Sequence, residues 1–228
     1  SPWPISLDDV RAAQARLAPY MQPSPLYNYP LLDAAVGHGI QVQVKHENFN
    51  PTNSFKVRNG LSFMTALPEA KRARGVVAAT RGNHGQSIGW AARSHGVPCR
   101  IVVPHGNSVE KNAAMRALGV TLIEHDAGVE EARERAAGLA AQSGAHKVPS
   151  FHAGLLQGVS TYWWEYFKAV PQLDVVYVPI GQGSGACSAI AAQRALGHQA
   201  RIVGVVSSHA TTYADSLAAG RVVEAPAT

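Results

Sequence analysis

From residue 75 onward, apolar runs of strand length alternate with stretches of helix length. The clearest runs are Gly75–Thr80, Cys99–Pro104 and Val120–Glu124, with helical stretches at Asn83–His95 and Ser108–Leu118 between them. Strands separated by helices of this length form βαβ units, in which the strands run parallel. The alternation therefore predicts an α/β protein built on parallel sheets.

The alternation continues to the end of the chain and has a shorter counterpart before residue 75. In the first part, the sequence predicts a helix over Leu7–Leu17, a strand over Gln41–His46 and a helix opening near Ser54. Further on, it predicts helices over Val129–Gln142, Leu155–Lys168 and Thr211–Ala219, another ending at Leu196, and strands over His146–Pro149, Asp174–Ile180 and Arg201–Ser207.

These elements predict two lobes, each a three-layer αβα arrangement with a mainly parallel sheet. Residues 75–150 form the smaller lobe, and residues 1–74 together with 151–228 form the larger one. Ligands of open α/β sheets bind beyond the carboxyl ends of the strands. We therefore expect the chemistry to lie just after His46, Thr80 and Ile180.

The first candidate loop is residues 50–58, with the sequence NPTNSFKVR. Ser54 is a helix-capping residue type, and its position predicts a cap that places Lys56 in the first helical turn. The unpaired amides of that turn favour the neutral lysine amine, which is the form that reacts with carbonyl groups. An ordinary exposed lysine is the alternative for this motif on its own.

The second candidate loop, residues 80–86 (TRGNHGQ), follows a strand and opens a helix. Several backbone amides point outward there, which suits a carboxylate. Asn83 offers a neutral amide for a phenolate-like oxygen, and Gly82 and Gly85 leave room for a ligand. The alternative is a polar turn with a helix cap.

The third candidate loop, residues 179–186 (PIGQGSGA), also lies between a strand and a helix. Glycines let the backbone wrap a phosphate at a helix N-terminus. Gly181, Gly183 and Ala186 also match the dinucleotide spacing, which requires an acidic residue after the next strand. Residues 206–209 are VSSH instead, so a single-phosphate site is favoured over a nucleotide-binding oxidoreductase.

Charge and composition exclude several classes of partner. The net charge is +5, but the basic residues are spread over helices, so we expect no nucleic-acid partner. No apolar run is long enough to span a bilayer, and Ser1–Pro4 shows no signal-peptide pattern. Two cysteines are too few for a disulfide framework. A cytoplasmic location is the expectation.

Together, the three loops offer a primary amine, an amide beside a carboxylate site and a phosphate cradle. Pyridoxal phosphate (PLP) needs an amine for its aldehyde, a partner for its ring hydroxyl and a cradle for its phosphate. That combination is more specific than any single loop. It indicates a PLP enzyme.

The sequence resembles the fold type II, or tryptophan synthase β-like, PLP family in its threonine/serine dehydratase branch. The matching segments are residues 54–58 (SFKVR), residues 82–86 (GNHGQ), Lys111, residues 157–158 and the turn 181–185. The resemblance implies that Lys56 is the catalytic Schiff-base lysine. It implies cofactor contacts from Lys56, Phe55, Asn83, Gly181, Gln182, Gly183, Ser184 and Gly185, and substrate contacts from Ser54, Thr80, Arg81, Gly82 and His84.

Four departures from the family pattern qualify the expectations. Gln182 and Ser184 interrupt a run of four glycines. Arg81 replaces the serine that acts as acid and base in related serine racemases, and an arginine is always charged. Ser207 replaces a metal-binding Glu, so no divalent metal is expected. The last part of the family's large domain, which supplies the group facing the pyridine nitrogen, is expected to be missing, and with it strong PLP binding.

The activity implied by the resemblance is α,β-elimination from a hydroxy-amino acid, giving a 2-oxo acid and ammonia. Threonine, serine and hydroxyaspartate all remain possible substrates of such a lyase. A β-replacing synthase, an amino-acid racemase and a decayed PLP-fold binding module are the alternatives, and a nucleotide-binding oxidoreductase ranks below them. A homodimer or higher homo-oligomer is the expected assembly.

Overall fold

The computed structural model describes residues 5–125 and 128–224; the Ser1–Pro4 segment, which bears on the expected location, lies outside them. The helices are α1 Leu7–Leu17, α2 Pro30–Val36, α3 Lys56–Ala66, α4 Glu69–Arg72, α5 Asn83–Ser94, α6 Val109–Ala117, α7 Val129–Ser143, α8 Ala153–Ala169, α9 Ser184–Leu196 and α10 Thr212–Ala219. The strands are β1 Leu26–Asn28, β2 Gln43–Lys45, β3 Val76–Ala79, β4 Cys99–Val103, β5 Thr121–Glu124, β6 His146–Lys147, β7 Val175–Pro179 and β8 Arg201–Val205. A 3-10 helix covers Glu47–Phe49.

The strands of the described residues form three separate sheets. The largest has four parallel strands in the order β5-β4-β3-β6. Strands β7 and β8 form a second parallel pair, whereas β1 and β2 pair antiparallel. The predicted α/β fold with parallel sheets is confirmed, and the division into lobes at residues 75 and 150 stays a prediction.

Helix boundaries follow local capping chemistry. Helix α1 begins where predicted because Ser6 and Asp9 form a reciprocal capping box: the Ser6 hydroxyl accepts from the Asp9 amide at 3.2 Å, and the Asp9 carboxylate accepts from the Ser6 amide at 2.8 Å. Helix α7 ends at Gly144, which adopts the left-handed conformation (φ 69°) that stops a helix without a Cβ clash.

Several short elements were not predicted. Strand β1 has three residues, and α2 carries Leu31 and Leu32 on its exposed side, so neither shows the periodicity of a buried face. Helix α4 and the 3-10 helix are also too short for a periodic signal. The predicted strand Gln41–His46 is shortened to Gln43–Lys45.

Four hydrophobic clusters form the core of the described residues, and the two largest involve α3 and α8. One contains Val57, Leu61 and Met64 of α3 with residues of β3, β4 and α5. The other contains aromatic residues of α8: Tyr162, Trp163, Tyr166 and Phe167 are all buried there. Helix α3, which begins with the candidate lysine, belongs to the first of these clusters and packs against α5 and α8. No helix among the described residues is long and apolar enough to cross a membrane.

Candidate active site

Lys56 is the first residue of α3, and its side chain reaches the third candidate loop, residues 179–186, which we call the glycine turn. The Lys56 Nζ donates a hydrogen bond to the Ser184 hydroxyl at 2.7 Å, although the two residues are 128 positions apart. Ser54 is buried, and its hydroxyl accepts from the Lys56 backbone amide at 3.2 Å. Phe55 rather than Ser54 occupies the N-cap position, so Ser54 supports the start of the helix from one residue further back than predicted.

The surroundings of Lys56 favour its neutral form. Burial lowers the pKa of Lys56 to about 8. The amine lies 5.3 Å from the centre of the Phe55 ring, which in turn contacts the Tyr162 ring at 5.8 Å between centroids. The sequence predicts this preference from the helix N-terminus, and the structure shows removal from water as its cause.

The second candidate loop, residues 80–86, leads from β3 into α5, and we call it the asparagine turn. Thr80 is half-buried, and its hydroxyl accepts from the Gly82 amide at 3.0 Å, which holds the turn in place. Asn83 is the first residue of α5 and is exposed, as is Arg81. The Lys111 amine lies beside Gly82, since a Cβ on Gly82 would be 3.2 Å from Lys111 Nζ.

His84 is the most unusual residue of this turn. It is buried, and neither ring nitrogen has a hydrogen-bond partner. Burial, and secondarily the charge of Lys56, lower the pKa of His84 to about 4. The histidine is therefore neutral at physiological pH and close enough to Lys56 to sense its charge. A neutral imidazole offers one donor and one acceptor to a ligand.

The glycine turn opens α9. Gly183 is its N-cap residue with φ 91°, a conformation that side chains rarely adopt. The turn is braced on both sides, because the Tyr213 hydroxyl donates to the Gln182 carbonyl at 3.0 Å and the Trp163 indole donates to the Gly185 carbonyl at 2.9 Å. Gly181 and Gln182 are exposed, whereas Gly183, Ser184 and Gly185 are buried.

The residues present fit a phosphate-bearing aldehyde such as PLP. The helix N-terminus and the glycine backbone provide an anion site, and no atom lies within 4 Å of the place that a Cβ on Gly181 would take. A lysine amine of lowered pKa lies against this turn. Two residues of the candidate loops, His84 and Thr52, carry buried polar atoms without partners, as binding sites often do.

A buried charge cluster behind Lys56 was missed by the sequence reasoning. Arg58, whose side chain is 2% exposed, donates to both oxygens of Glu47 at 2.8 and 2.9 Å and to both oxygens of Glu165 at 2.6 and 3.0 Å. Lys45 donates to Glu165 at 2.6 Å. Two cations thus balance two carboxylates. Burial lowers the pKa of Arg58, but the two carboxylates outweigh it and the net shift is upward.

The cluster connects three segments to the helix that the candidate lysine begins: residue 24, residues 45–50 and α8. Glu47 also accepts from Ser24 at 2.5 Å and from Asn50 at 2.7 Å, so it fixes the loop before α3. Glu165 belongs to α8 and Arg58 to α3. The only sequence signal was Arg58 within the lysine motif, because Glu47 and Glu165 stand far from it in the chain.

The described parts of the chain, residues 5–125 and 128–224, hold no group of three or more His, Cys, Asp or Glu side chains arranged to bind a metal ion. The fold and site together define an α/β protein that presents a primary amine to an anion-binding glycine turn. This is the arrangement of a PLP enzyme. Residues 17–228 match the family of pyridoxal-phosphate dependent enzymes, and the chain belongs to that family.

Individual relatives agree with the family. The chain is 31% identical over 228 residues to a serine racemase of Oryza sativa subsp. indica, covering 99% of this chain and 66% of the relative. It is 35% identical over 201 residues to an L-threo-3-hydroxyaspartate ammonia-lyase of Pseudomonas sp, covering 88% of this chain and 62% of the relative.

A solved structure agrees as well. Maize serine racemase superimposes with a TM-score of 0.94 at 29% identity, covering 99% of this chain and 68% of that one. The chain thus spans about two thirds of the length of these relatives. The predicted family, fold and cofactor are confirmed, whereas the roles of the individual site residues stay predictions.

Proposed function

We propose that the protein is a PLP-dependent ammonia-lyase that removes water and ammonia from a hydroxy-amino acid and yields a 2-oxo acid. The observation that carries the proposal is the 2.7 Å hydrogen bond from the Lys56 amine to Ser184. It joins the candidate catalytic amine to the candidate phosphate cradle. An amine directed into solvent would have contradicted it.

In this proposal, Lys56 holds the cofactor and acts as the general base. Bound PLP would supply an electron sink for the charge that develops at the substrate Cα. Removing the Cα proton requires the neutral amine at Lys56 Nζ. With a pKa of about 8, about half of these amines are neutral at pH 8, against less than about 1% for an ordinary lysine.

The remaining residues bind and orient. The amides of residues 181–185 would hold the phosphate at the N-terminus of α9, and Asn83 would contact the ring oxygen. The amides at the start of α5 suit the substrate carboxylate. The neutral His84 has both ring nitrogens available for hydrogen bonds in a buried position, where such bonds strengthen because water is excluded.

Racemisation is the second candidate, because the relatives in rice and maize are serine racemases. It needs a proton donor and acceptor on the face of the substrate opposite Lys56. Related serine racemases carry a serine for this role two residues before the loop asparagine, and Arg81 stands at that position here. The permanently charged guanidinium of Arg81 does not exchange protons at ordinary pH. This residue favours elimination over racemisation.

Absorbance and product analysis test the proposal. The purified protein with PLP should show the visible absorbance of lysine-bound PLP and should release ammonia and 2-oxo acid from threonine, serine or 3-hydroxyaspartate. Lys56→Ala should abolish both, whereas Lys71→Ala, at an exposed lysine, should change neither. Visible absorbance that survives Lys56→Ala without added amine would refute the role of Lys56. Enantiomer exchange without oxo acid would favour the racemase.

A further inference from the structure

Helices α3 and α5 approach each other closely at Gly60 and Ser87. A Cβ on Gly60 would lie 2.6 Å from the Ser87 carbonyl oxygen and 2.9 Å from its carbonyl carbon, so only glycine fits. Ser87 itself is fully buried. The close approach brings the Ser87 side chain onto the backbone of α3.

The Ser87 hydroxyl contacts both ends of the first turn of α3. It accepts a hydrogen bond from the Gly60 amide at 3.1 Å and donates one to the carbonyl of Lys56. Residues 56 and 60 are four apart, so these two groups are the acceptor and donor that close a helical turn. A side chain from one helix thus bridges the turn that begins with Lys56.

The hydroxyl has one proton and two lone pairs, and the environment uses them all. With its proton on the Lys56 carbonyl, it has a lone pair left for a second donor. The Ser87 Oγ lies 2.8 Å from Asn59 Oδ1, whereas Asn59 Nδ2 is buried without a partner. Turning that amide by half a rotation gives Nδ2 an acceptor without changing the shape of the side chain. Ser87 then makes three hydrogen bonds.

Ser87 lies one helical turn after Asn83, on the same face of α5. The helix that begins at the asparagine turn is therefore hydrogen-bonded to the backbone of the candidate lysine. We propose that Ser87 is a positioning residue: its hydroxyl fixes the first turn of α3 to α5 and so holds the Lys56 amine in its half-buried position between the asparagine and glycine turns. The significance of this position for catalysis rests on the proposed function, whereas the tie itself involves only residues of the chain.

The test uses Ser87→Ala, with Ser160→Ala as the matched control. Ser160 is also fully buried in a helix, but its hydroxyl donates to Leu156 within the same helix at 2.8 Å. In cofactor-free protein, amide exchange over residues 56–62 should accelerate about five-fold in Ser87→Ala, since a buried hydrogen bond is lost. Exchange there should be unchanged in the control.

The second readout is the pH dependence of reductive methylation of Lys56, followed by mass spectrometry. If Ser87 keeps the amine out of water, Ser87→Ala should raise the midpoint by about half a pH unit or more, toward that of an ordinary lysine. The control should keep the midpoint of the natural protein. A general loss of stability without repositioning would leave this midpoint where it is.

A raised midpoint together with faster exchange in Ser87→Ala would support the proposal. An unchanged midpoint would overturn it, whether or not exchange accelerates. If Ser87→Ala does not fold, Ser87→Cys retains a weak side-chain donor, and the same comparison of midpoints applies to it. Because both readouts are made without PLP, they hold even if the protein releases no oxo acid, which would refute the proposed function and leave the Ser87 tie standing.

Discussion

Replacing Arg58 with Met should destabilise the protein far more than breaking an exposed ion pair. Arg58 is 2% exposed, and its partners Glu47 and Glu165 are 11% and 16% exposed. Met fills a similar volume but leaves two carboxylates with one cation, Lys45. The cluster then changes from neutral to a net charge of −1.

The magnitude follows from what each carboxylate keeps. Glu165 retains Lys45, but Glu47 retains only the neutral donors Ser24 and Asn50. Removing one partner of a buried pair costs about 3–5 kcal/mol, because the other charge is left uncompensated. We therefore expect the free energy of unfolding to fall by about 3–5 kcal/mol.

Urea denaturation at pH 7 measures this loss, with Arg116→Met as the control. Arg116 pairs with Glu124 at 3.1 Å on the surface, with side chains 54% and 38% exposed. Such a pair contributes about 0–1 kcal/mol. A loss for Arg58→Met no larger than that of Arg116→Met would refute the reasoning.

The variant should also respond to acid in a characteristic way. Without Arg58, the Glu47 carboxylate is left in a largely buried position with no cation bonded to it, so its charge destabilises the fold at neutral pH. Acid protonates carboxylates and so removes this penalty. The stability difference between the natural protein and Arg58→Met should therefore narrow at acid pH, and a difference that stays constant would contradict an electrostatic origin.

Three further predictions concern packing and titration. Gly158→Ala would put a Cβ 2.8 Å from the carbonyl carbon of Arg58 on the facing helix, so we expect a loss of about 1–3 kcal/mol in unfolding free energy. Gly138→Ala, in open space on α7, should instead gain about 0.5–1 kcal/mol, and equal effects would contradict the packing argument. The pKa of His84 is lowered from 6.5 to about 4, so between these pH values the unfolded protein binds a proton at His84 that the folded protein does not. The free energy of unfolding should therefore fall as the pH drops from 6.5 to 4. His84→Gln should reduce that loss in thermal melts. The pKa of Lys56 is lowered from 10.5 to about 8, so the free energy of unfolding should gain a contribution from Lys56 as the pH rises from 8 to 10.5. Lys56→Met should remove that gain. An unaltered pH profile of stability would count against an amine shielded from water.

Much of the architecture is readable from local patterns. Strands β3, β4, β5, β7 and β8 were predicted because each is a continuous apolar run between helix-length segments. Helix α1 was predicted with its observed bounds because its cap and its apolar face are encoded by neighbouring residues. Strand β1 and helix α2 were missed because short or exposed elements leave no periodic pattern.

The candidate loops were also readable, but their assembly was not. The lysine, asparagine and glycine loops can be recognised in the sequence by their glycines, by a capping serine and by their position after a strand. Nothing local says that the Lys56 amine reaches Ser184 or that the neighbouring imidazole of His84 is buried without partners. Those facts depend on how the helices that carry the loops pack.

The sequence by itself determined the order of the longer strands and helices along the chain, the three loops that flank them and the family to which they belong, because capping, turn formation and strand burial depend on residues a few positions apart. Only the tertiary structure decided which groups meet. Arg58 finds Glu165 across 107 positions, and Ser87 reaches the Lys56 carbonyl across 31. Such contacts depend on the angle and closeness at which helices cross, which the side chains of the whole core set together.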